Sequence, residues 1–127
     1  MSISIRTEFN FEAAHKLDLP YESKCKNLHG HSYLCAVTFK SLDGELNDDG
    51  MIVDFVFIKK IIKEYIEDRL DHAYLNDIFE TNATAEIMSK WIGEQLNLGL
   101  KEKHIDAKCV KVELNETAKN KAIWEED

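Results

Sequence analysis

The sequence predicts an α+β fold: a four-stranded antiparallel sheet with two helices on one face. Three observations carry this. Near the N-terminus, Phe9, Phe11, Ala13 and His15 alternate with Glu8, Asn10, Glu12 and Ala14, the period of two of a half-buried strand. From residue 54 to about residue 99 the apolar residues recur at helical spacing instead. Beyond residue 107 the period of two returns.

Taken in order, residues 2 to 15 form the first strand. Residues 18 to 30 hold the only proline, Pro20, among Ser, Lys and Asn, and read as a loop that is long for a chain of 127 residues. Long ordered loops in small domains often carry function. The second strand runs from about His31 to Leu42, with Tyr33, Cys35, Val37 and Phe39 on one face, and Asn47-Asp48-Asp49-Gly50 marks a turn. Asp54 is a plausible N-cap for a helix whose stripe is Ile58, Ile61, Ile62, Tyr65, Ile66 and Leu70. A second helix begins near Thr84, carries Ile87, Met88, Trp91, Ile92 and Leu96, and is expected to stop at Gly99. Residues 108 to 116 and 118 to 125 supply the last two strands. No repeat or low-complexity tract interrupts the chain, so residues 1–127 read as one domain. An open sheet leaves two unpaired edges, which predicts an oligomer that shares a continuous sheet.

The composition narrows the function. Hydrophobic residues at 44% and charged residues at 31% are a globular balance. A net charge of -8 argues against nucleic acid and against an anionic membrane as partner, while leaving room for a small anionic substrate at a local basic patch. The first eight residues lack the pattern of a signal peptide, and no apolar run approaches the roughly 18 residues of a membrane span. Three scattered cysteines, Cys25, Cys35 and Cys109, do not suggest a disulfide framework, so a reducing, cytoplasmic setting is expected.

Three of the five histidines fall within residues 15 to 31. In His29-Gly30-His31 the two imidazoles sit two residues apart and point to one face of a strand, and Gly30 is expected to let the backbone bend there. A His-x-His pair alone is commonly incidental. His15, however, ends the apolar face of the first strand, and antiparallel pairing would bring it beside the other two. Three imidazoles with one open position describe a catalytic zinc site. Cys25, in the long loop, is either a small inert residue, a fourth ligand that closes the site, or a thiolate base beside it. Asp71-His72 suits acid–base work if the carboxylate orients the imidazole, although such a pair can simply cap a helix. On the third strand Val110, Val112 and Leu114 are expected to face inward, which turns Glu116 inward and leaves Cys109, Lys111, Glu113 and Asn115 on the other face, with Glu113 solvated. An inward carboxylate needs a partner, either a lysine or the N–H edge of a heterocycle.

These residues occur in a recognisable order: His15, Cys25-x-x-x-His29-Gly30-His31, Leu70-Asp71-His72 with Leu75-Asn76, Asn82-x-Thr84-x-Glu86, and Glu116-Thr117. The order resembles the 6-pyruvoyl- and 6-carboxy-tetrahydropterin synthase family over about Phe9 to Trp124. The resemblance implies a zinc ion on His15, His29 and His31, Cys25 as general base, Asp71 and His72 as acid–base partners, and Glu116 as anchor of the pterin ring. It puts Thr84 on the substrate side; Lys24 and Lys26, which flank Cys25, are candidates for the cations that the substrate's triphosphate needs. It also implies the tunnelling fold, in which subunits join their sheets into a barrel, usually as a homohexamer built from two trimers. The gap of three residues between Cys25 and His29 resembles the 6-carboxy branch of queuosine biosynthesis, with the 6-pyruvoyl branch as the alternative. A non-catalytic zinc-stabilised assembly module is the reading from another class. Ala83 stands where relatives commonly carry proline, a departure expected to change loop stiffness and not chemistry.

Overall fold

The computed structural model describes residues 2–126. Its sheet contains β1 (Ile5–His15), β2 (His29–Ser41), β3 (Ala73–Tyr74), β4 (Ala107–Asn115) and β5 (Lys121–Glu125), in the spatial order β3-β1-β2-β4-β5. Five strands therefore replace the four expected, and the sheet is mixed: β3 runs parallel to β1 while the other pairings are antiparallel. Two residues are too few to show a period, which is why β3 escapes a reading based on alternation.

The helical segment after Asp54 begins as α1 (Phe55–Ile62), with the Asp54 side chain accepting a hydrogen bond from the Val56 N–H as an N-cap. It continues through a π-helical turn, Lys63–Glu67, and a last turn, Asp68–Leu70. The second helix, α2 (Ala85–Glu102), is capped by Thr84, whose hydroxyl accepts from the Ile87 N–H. Gly99 is not its stop. A Cβ on Gly99 would lie 2.8 Å from the Tyr65 ring, so the glycine admits a close crossing of the two helical segments. The helix ends later, where His104 adopts φ 57° and the Ile105 N–H returns to the Leu100 carbonyl. Ile87, expected in the apolar stripe, is 38% exposed.

Both helices cover the same face of the sheet. Phe11, Tyr33, Phe39, Val112 and Leu114 meet Ile58, Ile66, Met88, Ile92 and Leu96 in one continuous core. Each such side chain contributes about 1.5–3 kcal/mol by leaving water. The opposite face is polar, with Arg6 bridging Glu8 and Glu113. Glu113 does lie on that outer face, but it is not freely solvated: it pairs with Arg6 at 3.2 Å and Lys121 at 3.5 Å, and its side chain is 14% exposed.

The alternation on β4 breaks once. Phe39 pairs with Cys109 and Thr38 with Lys111, which leaves Val110 as the extra residue of a bulge. Cys109 is consequently fully buried rather than outward, and Val110 is not part of the core. The bulge precedes Val112, so the phase from Val112 through Leu114 to Glu116 survives it.

Candidate metal centre and its surroundings

The β1–β2 pairing runs in unbroken register from Ile5↔Phe39 to His15↔His29. That register sets His15 beside His29 and Ala13 opposite His31, so three imidazoles meet at one end of the helix-covered face. Their rings lie 4.6, 5.2 and 4.9 Å apart, and one nitrogen from each falls within 4.8 Å of the others. The strand starts at His29, two residues earlier than the alternation suggests, which extends the same face to both histidines. Gly30 does not bend it. It sits in regular strand opposite Ala14, and a Cβ there would only touch the Ala13 carbonyl at 3.6 Å.

The protons on these rings follow from their partners. His15 Nδ1 donates to the Ala83 carbonyl at 2.9 Å and His29 Nδ1 donates to the Asn27 carbonyl at 2.7 Å. A carbonyl can only accept, so each Nδ1 holds the proton and each neutral ring presents a bare Nε2. Those two Nε2 atoms face one another at 3.0 Å. Two lone pairs at that distance repel unless a cation lies between them. Burial, reinforced by the neighbouring imidazoles, holds the His15 pKa below its ordinary value, which disfavours a proton in that role. His31 Nε2 is buried without a hydrogen-bond partner. Bonds of about 2.0–2.1 Å to a tetrahedral ion place nitrogens roughly 3.3 Å apart, within the spread found here. The donor set therefore fits a metal ion. The carbonyls of Asn27 and Ala83 orient the rings as outer partners of metal-bound histidines do. Ala83 acts through its carbonyl, so its side chain takes no part in that contact.

The loop carrying Cys25 is tied down by two asparagines. Asn76 accepts from the Lys16 N–H and donates to the Lys16 carbonyl, each at 3.0 Å. Asn82 does the same to Asp18, at 2.8 and 2.9 Å. Between them the Leu17 N–H donates to the Cys25 carbonyl at 2.8 Å. Cys25 sits half-buried in a single 3-10 turn, Lys24–Lys26, capped by the Ser23 hydroxyl. Lys24 is exposed on that turn, and Lys26 leans toward Glu22 at 3.9 Å. All three cysteines are free.

Asp71 and His72 are held by the backbone of Glu12. The Glu12 N–H donates to the Asp71 carboxylate at 2.9 Å, and the His72 N–H donates to the Glu12 carbonyl. The first of these bonds holds the Asp71 carboxyl below its ordinary pKa. The other Asp71 oxygen lies 3.2 Å from His72 Nδ1. His72 has φ 61°, a left-handed conformation uncommon for residues other than glycine and found disproportionately at functional sites. Its side chain is 79% exposed and borders an open cleft of about 340 Å³, together with His31, Gly30, Ser32 and Glu12.

Glu116 follows the end of β4 on the helix-covered side, and its Oε1 lies 3.6 Å from His31 Nε2. Its ion-pair neighbour among the described residues is thus a histidine and not a lysine. It borders a second hollow of about 300 Å³ with Ala85, Glu86 and Asn120. Thr84 is nearby in sequence, but its hydroxyl is committed to capping α2. The residues that sequence reasoning missed are mainly backbone acceptors, Asn27 and Ala83, which no side-chain pattern reveals.

The chain is similar to known proteins over most of its length. Residues 4–127 match the family described as 6-pyruvoyl tetrahydropterin synthase. The chain is 31% identical over 165 aligned positions to the 6-carboxy-5,6,7,8-tetrahydropterin synthase of Aquifex aeolicus, covering 100% of both. It is 39% identical over 95 residues to the protein of that name from Synechocystis, covering 72% of this chain and 73% of the relative. Among solved structures, 6-pyruvoyl tetrahydropterin synthase of Caenorhabditis elegans superposes with a TM-score of 0.80 at 26% identity, covering 98% of this chain and 96% of that one. On the match across almost its whole length, the chain belongs to the 6-pyruvoyl tetrahydropterin synthase family.

Proposed function

We propose that the protein is a zinc-dependent 6-carboxy-5,6,7,8-tetrahydropterin synthase. It would convert 7,8-dihydroneopterin triphosphate to 6-carboxy-tetrahydropterin, releasing acetaldehyde and triphosphate, in the cytoplasm and in the service of queuosine biosynthesis. The observation that carries the reading is the pair of bare Nε2 atoms on His15 and His29, 3.0 Å apart, beside the orphaned His31 nitrogen. A zinc ion held there supplies Lewis-acid stabilisation for negative charge that develops on oxygen.

The chain's own residues do the rest. Glu116 accepts the N–H donors of the pterin edge and so fixes the ring against the histidine cluster. Cys25, pinned through its carbonyl to Leu17, removes a proton from the substrate side chain as a thiolate. Asp71, kept ionised by the Glu12 N–H, orients His72 through Nδ1 and leaves its Nε2 to pass protons. Lys24 remains a candidate contact for the triphosphate and Thr84 a boundary of the ring site. The Sγ of Cys25 lies outside the three-histidine group, which favours an open site over the closed site of a non-catalytic zinc module.

A 6-pyruvoyl activity is the second reading, since a 6-pyruvoyl tetrahydrobiopterin synthase of Dictyostelium discoideum is 38% identical over 96 residues. Incubating the zinc-loaded protein with dihydroneopterin triphosphate and analysing the products by mass separates the two. Acetaldehyde with a carboxylated tetrahydropterin supports the first reading, and a pyruvoyl product without acetaldehyde replaces it by the second.

Two expected outcomes arise here. Glu116→Gln keeps the shape of the anchor but turns one acceptor into a donor. Pterin affinity is expected to fall about tenfold to a hundredfold, with zinc unchanged. Glu113→Gln should leave affinity alone and cost at most about 1 kcal/mol of stability, because it only weakens partly exposed pairs with Arg6 and Lys121. Titrating both variants side by side checks this, and a damaging Glu113→Gln would move the anchor to the other face. The second outcome concerns assembly. The exposed His72 and the open edge at β5 both suit a homohexamer with shared sites. Light scattering at working concentration should report six chains, and a stable monomer would refute the assembly.

A further inference from the structure

Tyr33 is absorbed by neither the metal centre nor the acid–base pair. It stands across the sheet from Glu116, because the pairing Cys35↔Leu114 and Leu34↔Asn115 extends by one step to these two residues. Direct cross-strand neighbours hold their Cβ atoms about 4.5–5.5 Å apart. Both lie on the helix-covered face, in phase with Cys35 and Leu114. The Tyr33 ring is fixed from two sides, stacked on Phe11 at 4.8 Å and meeting His31 edge-on at 5.5 Å. Tyr33 is fully buried, and its hydroxyl has no hydrogen-bond partner among the described residues.

A buried hydroxyl without a partner is a cost that phenylalanine would avoid while filling the same space. Glu116 offers an acceptor on the same face, with its side chain 30% exposed. Its carboxylate is 3.6 Å from His31 Nε2, too long for a hydrogen bond. Once that nitrogen serves a metal ion, it can no longer donate to the carboxylate at all.

We infer that Tyr33 is a positioning residue for Glu116: in the metal-loaded, ring-bound site its hydroxyl, unpartnered here, donates to the carboxylate and leaves the remaining lone pairs aligned for the N–H donors of the ring. This deepens the reading of Glu116 as the pterin anchor and rests on it.

The test uses the full chain loaded with zinc, with neopterin as the binding probe and dihydroneopterin triphosphate for turnover. Tyr33→Phe should raise the neopterin Kd about threefold to tenfold while kcat and zinc content stay within about twofold. In a Glu116→Gln background the same change should shift the Kd by less than about twofold, because the hydroxyl acts only through the carboxylate. Unchanged affinity with a higher Tm would overturn the inference, marking the hydroxyl as merely unpaired. An equal loss in both backgrounds would also overturn it. If the wild-type protein fails to bind neopterin, the anchor reading itself falls and this inference falls with it.

Discussion

Replacing His29 with alanine is expected to reduce bound zinc from about one ion per chain to less than about a tenth of that, and to abolish product formation. The reason lies in how few donors there are. A structural zinc held by four ligands is worth about 10–16 kcal/mol, so each ligand carries roughly 2.5–4 kcal/mol, about two to three decades of affinity. With three imidazoles the loss of one leaves no useful cage. His29 is the cleanest position to change. His15 is 1% exposed and its removal would also open a cavity, whereas His29 is only half-buried. Zinc measured after dialysis, beside circular dichroism to show that the fold persists, checks the expectation. Full occupancy in the His29→Ala and His31→Ala variants would contradict it.

Cys25→Ala is expected to behave in the opposite way, retaining zinc and losing turnover by about a hundredfold to ten-thousandfold. The backbone of the turn is held without the thiol, by the Leu17 N–H on the Cys25 carbonyl and by the Ser23 cap. The substitution therefore removes a proton acceptor and little else. Steady-state rates and zinc content measured on one preparation separate the two roles of the residue. Loss of zinc together with activity would make Cys25 a ligand.

Much of this site is legible in the sequence because it sits on regular strands. His15 ends a clean alternation, and two histidines two apart on the next strand must share its face. Glu116 follows from the same rule. The failures have local causes. The bulge at Val110 reverses the phase of the residues before it, so Cys109 turns inward although simple alternation sends it out. The two-residue β3 has no period to detect, yet it is the element that ties His72 to Glu12. Gly99 reads as a stop because glycine often ends helices, but here it answers to the Tyr65 ring. Gly93 answers to Trp124 in the same way, since a Cβ there would lie 2.2 Å from the indole. The asparagines at 76 and 82 are visible in the motif order, but their work, clamping the backbone at Lys16 and Asp18, depends on contacts some 60 residues apart. The carbonyls that fix the imidazole tautomers belong to the main chain and carry no residue signature.

Zinc-edge X-ray absorption on the purified, zinc-loaded protein probes the central claim most directly, because it counts the ligands by element. Three imidazole nitrogens at about 2.0–2.1 Å with a fourth light-atom ligand are expected, and no sulfur. A sulfur shell at about 2.3 Å would place Cys25 on the metal, close the site, and contradict the account of a catalytic centre.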